Sequence, residues 1–113
     1  MAGKKKPSPA KSTAASAPSI HAATRGGGGS VRKGKSITQA EAEDRRKNGL
    51  DVVVCGPNLT ANRSLAGRIE RNANGKVKRC PPQAGPRSLP HWQPDPRPPE
   101  GHTFYETDKR KAT

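Results

Sequence analysis

The run Leu50-Asp51-Val52-Val53-Val54-Cys55 is the clearest strand in the sequence, because turn dipeptides bound it on both sides. Asn48-Gly49 precedes it and Gly56-Pro57 follows it. A short β-branched run between two such turns is typical of a buried central strand. We therefore expect the chain to build a small sheet around this strand.

Two predicted helices flank the strand. Residues 36–41 (Ser-Ile-Thr-Gln-Ala-Glu) contain two overlapping capping boxes, which predict a helix that ends at Asn48-Gly49. After the strand, Asn58 or Thr60 caps a second helix that runs to about Ala73. Apolar residues recur along this second helix at helical spacing and would cover the sheet. They are Leu59, Leu65, Ala66, Ile69 and Ala73.

The remainder predicts two more strands separated by a long loop. Residues 76–80 are a candidate strand with a basic outer face, and residues 101–107 are a last short strand. Between them, eight prolines from Pro81 to Pro99 predict an exposed loop without a helix or a central strand. Residues 36–113 are therefore expected to form a small α+β domain of order α-β-α-β-β. The predicted core is Val52, Val53, Val54, Leu59, Leu65, Ile69, Val77 and Phe104, with Trp92 as a further candidate.

Charge is concentrated at the N-terminal end. The 113 residues carry a net charge of +13, and residues 1–35 contain eight lysines and arginines without an acidic residue. This segment is rich in Ala, Ser, Pro and Gly, and it includes Gly26-Gly27-Gly28-Gly29-Ser30. Such a composition predicts a disordered basic tail with a flexible glycine hinge. The basic balance favours nucleic acid as a partner, and no apolar run is long enough to span a membrane.

Cysteine and histidine spacing argues against a metal site. Cys55, Cys80, His91 and His102 follow one another at intervals of 25, 11 and 11 residues, without a Cys-x-x-Cys pair. We therefore expect no metal and no cofactor. A disulfide between Cys55 and Cys80 stays open as an alternative to two free thiols.

The run LPHWQPDPRPPEGHTFYE (residues 89–106) resembles the endings of C-terminal toxin domains in bacterial polymorphic toxin systems. Residues 51–56, 62–63 and 69–70 also resemble the strand and helix of such domains, so the resemblance covers about residues 38–111. It implies a secreted effector that acts in the cytoplasm of a target cell, with a cytoplasmic protein as the other expectation. It also implies a cognate immunity protein as a partner.

Within this resemblance, the chemistry that the residues predict is metal-independent RNA cleavage. His91 and His102 are the only histidines of the predicted domain, and imidazole suits both a general base and a general acid. We expect them to converge as the catalytic pair. The predicted substrate ligands are five cations for phosphate and one aromatic ring for a base. They are Arg63, Lys76, Lys78, Arg87, Arg97 and Tyr105.

Each of these residues also has a structural interpretation. A histidine beside Trp92 is more often a packing residue than a catalyst, and Tyr105 is more often part of a core. The arginines of the second helix are most simply a solvated face. A second function is therefore kept open, a non-catalytic basic protein that binds nucleic acid through its tail and helix arginines.

Overall fold

A computed structural model of the protein describes residues 17–113. In that part of the chain, six strands form one mixed sheet and two helices pack on it, so the predicted α+β class is confirmed. No helix within these residues is long and apolar enough to cross a membrane. The elements are β1 (Ser19–Arg25), β2 (Val31–Ser36), α1 (Gln39–Lys47), β3 (Val52–Cys55), α2 (Leu59–Asn74), β4 (Val77–Cys80), β5 (His91–Pro94) and β6 (Thr103–Tyr105).

The sheet has the order β2-β1-β3-β6-β5-β4. All of its neighbouring strands are antiparallel except β3 and β6, which are parallel. The parallel register places Val52 opposite Thr103 and Val54 opposite Tyr105. The residues that immediately precede these two strands, Asp51 and His102, therefore lie side by side.

Both predicted helices are confirmed, and each begins at a side-chain cap. The Thr38 hydroxyl accepts the Glu41 N–H at 3.1 Å while the Glu41 carboxylate accepts the Thr38 N–H at 2.8 Å. Asn58 caps α2 by accepting the N–H of Ala61 at 2.9 Å. These bonds satisfy N–H groups that the first helical turn leaves free.

The sheet buries a different apolar cluster on each face because side chains alternate along β3. Val52 and Val54 face the helices, while Val53 faces the opposite side. The helix-side cluster also contains Ala42, Ala66, Ile69 and Tyr105, with Leu59, Leu65 and Trp92 packed against it. The opposite cluster contains Ala23, Val31, Cys55, Leu89 and Phe104.

The prediction of a disordered tail up to residue 35 is wrong for residues 19–35. β1 and β2 form a hairpin, and β1 pairs with β3 so that Ile20 lies opposite Val54. The glycine run closes this hairpin: the Gly26 N–H donates to the Ser30 carbonyl at 2.8 Å, and Gly28 has a φ of 66°. Residues 19–35 are ordered because the main chain of β1 pairs with β3, and amino-acid composition gives no information about such pairing. The folded unit therefore begins well before residue 36, and residues 1–16 of the predicted tail lie outside the described residues.

The prediction that residues 81–99 contain no central strand is also wrong. β5 lies between β4 and β6 and pairs with both. Pro90 precedes the strand and Pro94 ends it, so the residues between them keep their N–H groups for the ladder. The element order is therefore β-β-α-β-α-β-β-β instead of α-β-α-β-β.

A buried ion pair joins the two helices to the ends of β3 and β6. Arg46 and Glu70 are both fully buried, and Arg46 Nε lies 2.7 Å from Glu70 Oε1. Arg46 Nη1 also donates to the carbonyls of Leu50 and Glu100, each at 3.0 Å. The same Glu70 oxygen accepts the hydroxyl of Thr103 at 2.7 Å. The pair therefore fixes the segments that lead into both strands.

Candidate active site

The two predicted catalytic histidines come together on the face of the sheet that lies away from the helices. His91 is on β5 and His102 immediately precedes β6, and their ring centroids are 4.4 Å apart. The ring of Phe104 packs against both histidines at 5.5 Å and 5.0 Å. Both histidines line a cavity of about 190 Å³, together with Arg25 from the end of β1.

An aspartate that the sequence analysis did not select holds His102. Asp51 precedes β3 as His102 precedes β6, so the parallel register sets the two residues beside each other. The His102 N–H donates to Asp51 Oδ1 at 2.8 Å, and His102 Nδ1 lies 3.4 Å from the same oxygen. Asp51 Oδ2 in turn lies 3.7 Å from Arg25 Nε. The carboxylate thus joins His102 to a cation at the cavity.

Electrostatics keeps Asp51 ionised. Burial on its own would raise the pKa of this carboxyl, but the contact with the His102 ring, the hydrogen bond from the His102 N–H, and the charges of His102 and Arg25 act more strongly in the opposite direction. The pKa of Asp51 is therefore below its ordinary value. An ionised carboxylate beside a ring nitrogen stabilises a proton on that ring.

Arg97 defines which nitrogen of each histidine carries the proton. Its Nη2 lies 3.2 Å from His102 Nε2 and 3.1 Å from Gln93 Oε1. A guanidinium only donates, so His102 Nε2 accepts, and the proton of the neutral His102 ring lies on Nδ1 towards Asp51. Gln93 Oε1 must likewise be an oxygen, so His91 Nε2, at 3.2 Å, donates to it. Arg97 therefore covers the lone pair of His102 Nε2.

His91 is a more buried group than His102. It is 3 % exposed, and its Nδ1 is buried with no hydrogen-bond partner within residues 17–113. Burial, with the charge of His102 as a second cause, lowers the pKa of His91 to about 4. The His91 ring is therefore neutral at pH 7, and its Nε2–H is committed to Gln93. The His102 side chain is 13 % exposed and is the one of the two that a ligand in the cavity reaches more directly.

Only one of the predicted phosphate ligands reaches the histidines. Arg97 contacts His102, as described above. The register places Lys78 opposite Gln93 on β4, with its side chain exposed. Lys76 is exposed just before β4, and Arg87 is exposed in the segment between β4 and β5 without lining the cavity.

The prediction that the Tyr105 ring stacks on a base is not supported by its position. Tyr105 is 4 % exposed and belongs to the helix-side cluster, on the opposite face of the sheet from His91. Arg63, on α2, lines a separate groove on that same face together with Tyr105. Strand alternation explains the separation, because Phe104 and Tyr105 must point to opposite faces.

Three residues of the site were not selected from the sequence, namely Asp51, Arg25 and Gln93. Asp51 carried a usable indication, since it is the one charged residue of a buried apolar run. Arg25 was assigned to the disordered tail, and Gln93 lies in the proline-rich segment that was predicted to be an exposed loop. Neither of these two had a local pattern that predicted its role.

The cysteines contribute no chemistry to this cavity. Cys55 and Cys80 are both buried and free, so the structure contains two thiols instead of the disulfide. Burial, with the nearby Glu106 carboxylate, raises the pKa of Cys55 to about 12, which leaves this thiol unreactive at neutral pH. Within residues 17–113, no three His, Cys, Asp or Glu side chains are grouped to hold a metal ion.

Comparison of the chain with protein-family models, with curated proteins and with solved structures finds no match. The resemblance to toxin domains therefore stays a prediction.

Proposed function

We propose that this protein is a small RNA-cleaving toxin domain with His102 as its general base. The observation that supports the proposal most is the group of Asp51, Arg25 and Arg97 around His102, which itself lines the cavity. A carboxylate on Nδ1 of a histidine leaves Nε2 as the basic nitrogen, an arrangement that general-base catalysis uses repeatedly. Arg97 and Arg25 supply positive charge at the same place.

The reaction begins with displacement of Arg97 from His102. A phosphodiester in the cavity offers Arg97 an anionic partner that matches its planar fork better than a neutral imidazole nitrogen does. Nε2 of His102 is then free to accept the proton of a ribose 2′-hydroxyl. The 2′ oxygen bonds to the adjacent phosphorus as the bond from phosphorus to the 5′ oxygen breaks.

Charge and protons balance within the site. Asp51 stabilises the imidazolium that forms on His102, and Arg97 and Arg25 stabilise the charge that builds on the phosphate oxygens. The departing 5′ oxygen takes a proton from water at the mouth of the cavity, and the hydroxide that remains removes the proton from His102. The products are a 2′,3′-cyclic phosphate end and a 5′-hydroxyl end.

His91 acts in this proposal as a positioning residue, which narrows the role predicted for it from the sequence. Its buried neutral ring contacts His102 edge-on, and its Nε2–H holds Gln93, which in turn binds Arg97. Removing His91 should therefore disturb the placement of Arg97 and His102. As the resemblance implies, the proposed setting is the cytoplasm of a target cell, with an immunity protein as inhibitor.

Inducible expression in a bacterial host tests the proposal. Wild type is compared with His102→Ala and with His21→Ala, which removes the one described histidine outside the cavity. We expect growth arrest with RNA fragmentation for wild type and His21→Ala, and neither for His102→Ala. Arrest with intact RNA would reject the cleavage chemistry. Normal growth with soluble wild-type protein would reject the toxin and favour the non-catalytic nucleic-acid binder.

A further inference from the structure

A second recess lies on the helix side of the sheet, away from the histidine cavity. We refer to it as the helix-side groove, and its volume is about 360 Å³. This volume lies in the range of small-ligand pockets, which is roughly 300–1,000 Å³. Its walls combine cations, one phenol and apolar side chains. The residues that matter for the argument are Leu59, Arg63, Arg79, Pro81, Pro90 and Tyr105.

Two arginines at the groove have no carboxylate partner. Arg63 is on α2 and Arg79 is on β4, and neither forms a salt bridge anywhere in residues 17–113. The backbone at Arg63 is fixed, because the Trp92 indole N–H donates to its carbonyl at 3.1 Å. The groove therefore holds two guanidinium groups whose donors are free for an anion.

Tyr105 lines the groove together with these two arginines and is 4 % exposed. Burial raises the pKa of its phenol, while the charges of Arg79 and Arg63 act in the opposite sense. A neutral phenol O–H beside two guanidinium groups is a donor set for a phosphate.

We propose that the helix-side groove binds one nucleotide unit of a single-stranded nucleic acid. Arg63, Arg79 and the Tyr105 hydroxyl hold its phosphate. The apolar walls at Leu59, Pro81 and Pro90 pack against its sugar and base. A nucleotide carries a flat base close to its phosphate, so it can contact the cations and the apolar wall at the same time. An acidic peptide offers carboxylates for the cations but no flat apolar group for the wall. This proposal goes beyond the proposed function, because it requires no cleavage.

The groove and the histidine cavity share one segment of chain. Pro81 and Pro90 contribute to the groove, while Ser88 and Leu89 between them line the cavity. This segment therefore borders both recesses. The groove would add affinity for a single-stranded substrate without taking part in the reaction.

Binding of a fluorescent single-stranded DNA tests the groove separately from the cleavage proposal. DNA lacks the 2′-hydroxyl, so the wild-type protein cannot cleave it by the proposed reaction. Full-length Arg63→Gln, Arg79→Gln and Tyr105→Phe are compared with Arg68→Gln, which removes the same charge from an exposed position on α2. Affinity is measured by anisotropy at several salt concentrations, with an oligoglutamate of equal charge as competitor.

We expect each groove arginine variant to bind about tenfold more weakly than Arg68→Gln, which corresponds to the loss of a charged hydrogen bond. The slope of log affinity against log salt should fall by about 0.7 for each lost phosphate contact. Tyr105→Phe should weaken binding without changing the slope. Equal affinity of the groove variants and Arg68→Gln would overturn the proposal. Competition by oligoglutamate as strong as by unlabelled DNA would also overturn it, in favour of an acidic polypeptide ligand.

Discussion

Replacing Asp51 by Asn removes one charge from the candidate active site and little else. Asn keeps a carbonyl oxygen that can accept the His102 N–H, which Asp51 Oδ1 accepts at 2.8 Å. The change therefore leaves the main-chain contact between β3 and β6 in place. What it removes is the carboxylate 3.4 Å from His102 Nδ1.

The size of the effect follows from that distance. Two unit charges 3.4 Å apart interact by about 5 kcal/mol at an effective dielectric constant near 20. Part of this energy is offset, because burying the Asp51 carboxylate costs solvation that Asn does not lose. A net loss of about 3–4 kcal/mol in stabilisation of the His102 imidazolium corresponds to a rate lowered roughly 100- to 1,000-fold.

Single-turnover cleavage of a short RNA at pH 7 measures this loss. The matched control is Asp95→Asn, which makes the same chemical change at an exposed position. The ¹⁵N shifts of the His102 ring give a readout independent of the reaction. They should report a proton on Nδ1 in wild type and a mixture of tautomers in Asp51→Asn. If a folded Asp51→Asn protein cleaves within threefold of Asp95→Asn and keeps the Nδ1 proton, the role assigned to Asp51 is refuted.

Three further changes test the fold around the site. The pKa of His91 falls to about 4 in the folded protein, so protons bind the unfolded chain more tightly. The free energy of unfolding should therefore drop by about 3 kcal/mol as the pH falls from 6.5 to 4. His91→Gln should remove this pH dependence in urea titrations. Gly101→Ala should lower the free energy of unfolding by about 2–4 kcal/mol, because φ is 93° and the new Cβ would lie 2.6 Å from an Arg46 nitrogen. Gly75→Ala, at φ 79° in open space, should lower it by only about 1 kcal/mol. Equal melting temperatures for the two variants would contradict this reasoning. Arg46→Ala should cost about 3–5 kcal/mol by leaving a buried carboxylate without its partner, whereas exposed Lys47→Ala should change the free energy of unfolding by less than about 0.5 kcal/mol.

Local patterns predicted both helices and three of the six strands, β3, β4 and β6. The caps at Thr38 and Asn58 and the β-branched run of β3 act within a few residues, so they can be recognised from the sequence alone. The hairpin of β1 and β2 depends instead on hydrogen bonds from the backbone of β1 to β3, more than 30 residues away. Its composition of Ala, Ser, Gly and Lys has little β propensity, so tertiary pairing overrides it.

The sequence predicted that His91 and His102 come together, but it did not predict the residues around them. The two histidines stand out because histidine is rare in this chain. Asp51 reaches His102 only through the parallel pairing of β3 with β6, which no local pattern reveals. The alternation of Phe104 and Tyr105 follows from the sequence, but the face that each ring occupies depends on the register of the neighbouring strands.

The position of β6 has a consequence for when the candidate site can assemble. β6 is near the C-terminal end of the chain, yet it occupies the middle of the sheet between β3 and β5. During synthesis the earlier strands cannot close into one sheet until Tyr105 has been made, because the strand that joins them is missing. Asp51 and His102, which are 51 residues apart, therefore meet only after β6 has been made and has paired with β3. A nascent chain that ends before β6 would hold the β1–β2 hairpin and both helices, but the candidate site would not be assembled.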